Sequence, residues 1–209
     1  MMSPAATAPT LQTEDELAAI GAVIGASFTG VKSMTATSGP GLSLMAEMLG
    51  LASIAEIPAV IVNVQRGGPS TGIPTKSEQS DLLHSLFASH GDTPRVVIAC
   101  SDVKESFHAT VDAFNISEEF QIPVIVLTDQ SIAQRRETID AGALEHEVRD
   151  RATAMPPALT DYHRYLDTPS GVSPMALPST PGGMYQTNGL EHDSQGRPSA
   201  TFVRQVHIG

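Results

Sequence analysis

The chain has 209 residues, 22.0 kDa, 41% apolar residues and a formal charge of −11, which suits one ordinary domain with additional segments. That charge argues against nucleic acid and anionic membrane as partners, because both are held by basic patches. The lone cysteine, Cys100, excludes an internal disulfide and any iron–sulfur or zinc site built from several thiolates of this chain.

Residues 1–12, small residues and proline without periodicity, read as a disordered leader. They contain no signal-like apolar run, and no later segment reaches the roughly 18 apolar residues of a membrane span, so a cytoplasmic location is expected. Helix-like and strand-like segments then alternate. A helix is predicted over 14–28, apolar nearly all round and therefore expected to be buried, with a strand over 32–37, a helix over 41–55 and a strand over 58–64. The run from Ala59 to Val64 has the β-branched character of a strand covered on both faces.

After it comes the most informative stretch, QRGGPSTGIPTKSEQSDL, in which Arg66 is followed by Gly67, Gly68 and Gly72. A helix over 77–88, a strand over 95–99, a helix over 103–120 and a strand over 122–128 complete the pattern. In the 103–120 helix Val103, Phe107, Val111 and Phe114 share a face. The alternation implies an α/β fold, an open and mostly parallel sheet with helices on both faces. Residues 134–151 fit one charged, exposed helix. The proline-rich remainder is predicted to be an irregular extension across a surface, its own or a partner's.

Three places invite chemistry. Glu16 shares a stripe with Ile20, Val23 and Ile24, so its carboxylate is expected to point inward; Thr13 to Glu16 equally fits a capping box. The turn TATSGPG, residues 35–41, brings Ser38 and Gly39 to a helix N-terminus able to accept a polar ligand, although a plain strand-to-helix turn also explains it. Arg66 lies past the carboxyl end of a strand, where open α/β sheets bind ligands. A surface or interdomain salt bridge is the competing role. Ser70 and Thr71 add hydroxyl donors, or merely stabilise the loop. RGGPSTG does not place a lysine as a phosphate-binding Walker loop requires. The histidines, His90 included, lack metal-ligand spacing, and no metal site is predicted in this chain.

The order Glu16, ELAAIGAVIGASFTG, TSGPG, an apolar strand and QRGGPSTG resembles the pyrimidine-binding domain of thiamine-diphosphate enzymes. Glu16, Gly25 and TSGPG recur in acetolactate-synthase-like members. GGPSTGIPTKSEQSDL and HGDTPR are closer to the α subunit of 2-oxoacid:ferredoxin oxidoreductases, especially the 2-oxoglutarate type. The likeness covers about 12–130 and continues more weakly into SGVSP and GLEHDSQG.

The resemblance implies a coenzyme A-dependent oxidative decarboxylation of a 2-oxoacid, with electrons passed to ferredoxin. Glu16 matches the glutamate that hydrogen-bonds the aminopyrimidine ring and assists removal of the thiazolium proton. Ser38 and Gly39 match cofactor-binding positions. Arg66 matches the arginine that holds the substrate carboxylate, with Thr71 beside it. Magnesium, the diphosphate-binding Gly-Asp-Gly segment and an iron–sulfur cluster have no counterpart here and are expected on a partner β subunit.

The family's first strand and its Tyr-Pro-Ile-Thr-Pro-Ser-Ser-like loop are not found in this sequence, which reads as truncated at both ends with an exposed sheet edge. On this resemblance the domains are a leader at 1–12, a pyrimidine-binding domain at 13–130, and at 131–209 a charged helix and proline-rich extension. A non-catalytic remnant subunit and a carboligase without redox clusters are the alternatives.

Overall fold

A computed structural model describes residues 8–154 and 159–200. Most of the expected leader, residues 1–7, and the Met155-Pro-Pro-Ala stretch lie outside them. Four strands, β1 (Met34–Thr37), β2 (Ala59–Gln65), β3 (Val96–Ala99) and β4 (Pro123–Asp129), form a wholly parallel sheet in the order β1-β2-β4-β3. Helices α1 (Glu16–Phe28) and α2 (Gly39–Ile54) cover one face and α4 (Val103–Phe120) the other; α3 (Leu82–Phe87) and α5 (Gln130–Gln134) follow the carboxyl ends of β2 and β4.

The period-two geometry of a strand explains how β2 serves both layers. Ala59 and Ile61 join Ile20, Val23, Ile24, Leu42, Met45 and Leu49 in one cluster, whereas Val60 joins Ala109, Ala113, Val124 and Val126 in the other. The expected α/β fold is therefore present, with element ends within two residues of those expected except at the start of α3.

Four expectations are corrected. The capping box does not form: Glu14 turns the chain in the left-handed region (φ 59), so Asp15 becomes the N-cap and accepts from the Leu17 N–H at 2.9 Å. Helix α1 is buried on one side only, because α2 and the sheet cover Ile20, Val23 and Ile24 while Leu17 stays half-exposed. The helix over 77–88 shrinks to α3, because Gln79 and Asp81 are drawn into side-chain bonds with the ends of β4 and β2. On α4 the residues buried most deeply are Ala113, Ser117, Glu118 and Ala109, while Phe107 and Phe114 are half-buried, Phe107 against the His108 and His146 rings.

The charged helix over 134–151 is also absent. Helix α5 ends at Gln134, and only a 3-10 turn at Ala141–Leu144 follows. The segment instead lies extended along α4. Asn115 donates to the Glu147 carbonyl at 2.9 Å and accepts from the Arg149 N–H at 2.8 Å, replacing the hydrogen bonds a helix would have made itself. The following extension crosses this chain's own body, where Arg164 donates to the Glu56 carbonyl and the Gln121 side chain, each at 2.7 Å.

Candidate functional site

The strand order places a topological switch between β2 and β4. The chain leaves β2, passes over to β3 at the far edge and returns to β4, with α2 and α4 on opposite faces. Ligands of open α/β sheets sit outside the carboxyl ends at such a point. Gln65 and Asp129, the last residues of β2 and β4, are register partners there, and Arg66 is the next residue out.

Arg66 is half-buried, and its Nε is enclosed without a hydrogen-bond partner. Among the described residues it makes no ion pair, although the chain carries 23 acidic residues against 12 lysines and arginines. A buried guanidinium donor without an acceptor is costly. The accessible remainder of this half-buried guanidinium is free to take an acceptor that is not part of this chain.

The loop after Arg66 is folded tightly on itself. The Ile73 N–H donates to the Gly67 carbonyl at 2.8 Å and the Gly67 N–H to the Lys76 carbonyl at 3.0 Å. Gly72 has φ +55 and no room for a side chain, since a Cβ would stand 1.8 Å from the Gly67 oxygen. Ser70 and Thr71 are exposed at the tip, and no hydrogen bond joins Thr71 to Arg66 at the base.

Glu16, Ser38 and Gly39 meet where α1 begins and β1 passes into α2. Helix α2 starts two residues earlier than expected, with Ser38 as N-cap and Pro40 in its first turn. The Ser38 hydroxyl makes no cap hydrogen bond, so first-turn N–H groups of α2 remain available. Glu16 is half-buried and lies over Gly41. A Cβ on Gly41 would come within 2.0 Å of Thr37 Oγ1, 2.7 Å of Glu16 Cγ and 2.9 Å of Glu16 Oε1. The glycine of TSGPG is thus the seat of the Glu16 carboxylate, an approach any side chain would block.

Sequence reading missed the polar floor of this edge. Asn63 and Gln65 interrupt the apolar run of β2 at a spacing of two, which puts both on the α1–α2 face. Asn63 is fully buried, donates to Asp81 Oδ2 at 3.0 Å, and its Oδ1 has no partner among the described residues. Gln65 accepts from the Asp81 N–H at 3.0 Å. Two polar residues in a buried strand were the available signal.

Asp129 closes the far side. It accepts from the Ile132 N–H at 2.9 Å and from Gln79 Nε2 at 2.8 Å, and the Ile132 bond foremost, helped by Gln79 against the opposing effect of burial, holds its carboxyl below the usual range. A depressed folded pKa stabilises above the unfolded value, about 3.9, and that stability is lost as pH falls through the folded pKa. Asp129→Ala is expected to cost about 1 kcal/mol at pH 7, as loss of an N-cap does. The gap from wild type should narrow in urea melts at pH 3.

Among the described residues no group of three or more His, Cys, Asp or Glu side chains is placed to hold a metal ion, and no helix is long and apolar enough to cross a membrane.

Residues 2–208 match the family model for pyruvate flavodoxin/ferredoxin oxidoreductases, thiamine-diphosphate-binding. The chain belongs to this family. It is 46% identical over 191 residues to the α subunit of 2-oxoacid:ferredoxin oxidoreductase 2 of Aeropyrum pernix, covering 89% of this chain and 29% of that one. It is 42% identical over 197 residues to the 2-oxoglutarate synthase subunit KorA of Methanothermobacter thermautotrophicus, covering 94% of this chain and 52% of that one. A solved structure of 2-oxoglutarate:ferredoxin oxidoreductase from Magnetococcus marinus, with 2-oxoglutarate, coenzyme A and succinyl-CoA bound, matches with a TM-score of 0.83 and 47% identity over 91% of this chain and 33% of that one. This family member therefore spans about a third to a half of the length of these relatives.

The residues present fit a thiamine cofactor's pyrimidine end. A carboxylate seated on a glycine and free N–H groups at a helix N-terminus offer the acceptor and donors that an aminopyrimidine ring needs.

Proposed function

We propose that this chain is part of the α subunit of a 2-oxoacid:ferredoxin oxidoreductase, acting in coenzyme A-dependent oxidative decarboxylation, with 2-oxoglutarate as the favoured substrate. The observation that carries the reading is Arg66, half-buried at the switch point of an acidic chain with no carboxylate to hold among the described residues. A planar, permanently charged fork in that position suits the carboxylate of a 2-oxoacid. The names of the relatives, including a 2-oxoglutarate-bound neighbour, favour the same substrate class.

Thiamine diphosphate, when bound, supplies the electron sink for loss of carbon dioxide. Glu16 holds or accepts a proton at the carboxylate resting over Gly41, and the α2 N-terminus at Ser38 and Gly39 orients polar ring atoms. Arg66 fixes the substrate carboxylate, and Thr71 at the loop tip adds a hydroxyl donor. A partner β subunit supplies the diphosphate-binding segment, magnesium and the iron–sulfur cluster that delivers electrons to ferredoxin. The lone, buried Cys100 suits a reducing, cytoplasmic setting.

Co-expression with such a β subunit tests this. The complex should bind thiamine diphosphate and reduce a viologen dye with 2-oxoglutarate and coenzyme A; no cofactor binding and no reduction with any 2-oxoacid would overturn the reading. Glu16→Gln should slow exchange of the thiazolium proton by about 10²-fold or more, the usual worth of a positioned acid–base group. Unchanged exchange, followed by proton NMR, would leave Glu16 without a catalytic role.

A further inference from the structure

Asp81 stands at the N-cap of α3 yet makes no cap hydrogen bond to that helix. Its carboxylate is turned instead toward β2 and the start of α2. Oδ2 accepts from Asn63 at 3.0 Å, and a Cβ on Gly39 would stand 2.7 Å from Oδ2 and 3.2 Å from Oδ1, so the carboxylate lies directly against the first residue of α2. A negative charge is favourable there. The Asp81 N–H is held by Gln65, the residue before Arg66.

Two lines of contact run from this one residue. Its backbone N–H meets Gln65 where the strap of residues 67–81 that carries the Arg66 loop returns to the sheet, and its side chain on Asn63 holds that N–H in place. Through Asn63, the register partner of Thr37, and through Gly39, it reaches the Thr37–Gly41–Glu16 seat.

On the basis of the function proposed above, we infer that Asp81 is a positioning residue that sets Arg66 and the α2 turn in one arrangement for the 2-oxoacid. An aspartate that forgoes its own helix cap in favour of these contacts is placed for the site and not for α3.

The test uses Asp81→Ala and Asp81→Asn in the co-expressed complex, with steady-state dye reduction, and the chain alone under trypsin. Asp81→Ala should raise KM for the 2-oxoacid roughly tenfold while kcat changes by less than about threefold, and should speed cleavage after Lys76 by about tenfold, because cleavage follows the open population of the strap. Asp81→Asn keeps the acceptor for Asn63 and should recover most of both effects.

A lowered melting temperature with unchanged KM would make Asp81 merely structural and overturn the inference. If the wild-type complex shows no turnover, the proposed function fails separately, and unchanged Lys76 cleavage in Asp81→Ala then overturns the inference on the chain itself.

Discussion

Arg151→Ala is expected to destabilise the chain by about 3–5 kcal/mol, because it strands a buried carboxylate. Arg151 grips Glu118 with two bonds of 2.6 Å, Nε to Oε2 and Nη2 to Oε1, and both side chains are almost wholly enclosed. Its remaining donors reach the Ser27 carbonyl at 2.7 Å and the Ser27 hydroxyl at 3.1 Å, so one guanidinium ties the extension to the last turns of α1 and α4. Removing it leaves Glu118, among the described residues, with only the residue 151 backbone N–H, and the desolvation cost is no longer offset. For a chain of this size the melting midpoint should fall by roughly 10 °C. Replacing both partners, Arg151→Met with Glu118→Leu, should restore most of the loss, since the cost lies in the uncompensated charge. Thermal melts of the single and double variants beside wild type decide this; a small effect of Arg151→Ala alone would mean that Glu118 is reached by water.

That arginine also shows where sequence patterning stops being informative. Apolar periodicity reports which residues leave water, and it located α1, α2, α4, β2, β3 and β4 because those elements pack apolar faces into the two cores, whereas α3 buries only Ser85 and leaves Leu82, Leu83 and Phe87 exposed. Residues 134–151 are dense in charge, and charge is normally the mark of a solvated helix face. Arg149 and Arg151 instead find Glu119 and Glu118 on α4, some thirty residues earlier, and such long-range pairing has no local signature. The same holds for Gln79, whose side chain bonds Asp129 at the end of β4, and for Asp81, whose backbone N–H is taken by the Gln65 side chain at the end of β2; both bonds unwind the start of the expected helix. In the site, glycine was legible because TSGPG and GGPSTG are local. The seat of Glu16 on Gly41 and the Asn63–Asp81 pair join segments far apart in the chain, and only the folded sheet brings them together.

Arg66→Lys separates the proposed carboxylate clamp from a structural arginine. Lysine keeps the charge and much of the length but presents a point charge in place of a planar fork, so one of two parallel bonds to a carboxylate is lost. A hydrogen bond to a charged group is worth about 1.5–3 kcal/mol, which corresponds to roughly 10–150-fold in kcat/KM for the 2-oxoacid. Affinity for thiamine diphosphate should change by less than about twofold, because the Glu16–Gly41 seat and the α2 turn are built from other segments. Folding stability should hardly move, since Arg66 makes no ion pair among the described residues and its enclosed Nε has no partner to lose. Steady-state dye reduction, titration of the cofactor and a thermal melt read the three quantities independently. Equal losses in substrate use and cofactor binding would assign Arg66 to the scaffold, whereas a selective loss would identify the loop after β2 as the part of this chain that distinguishes a 2-oxoacid from other ligands.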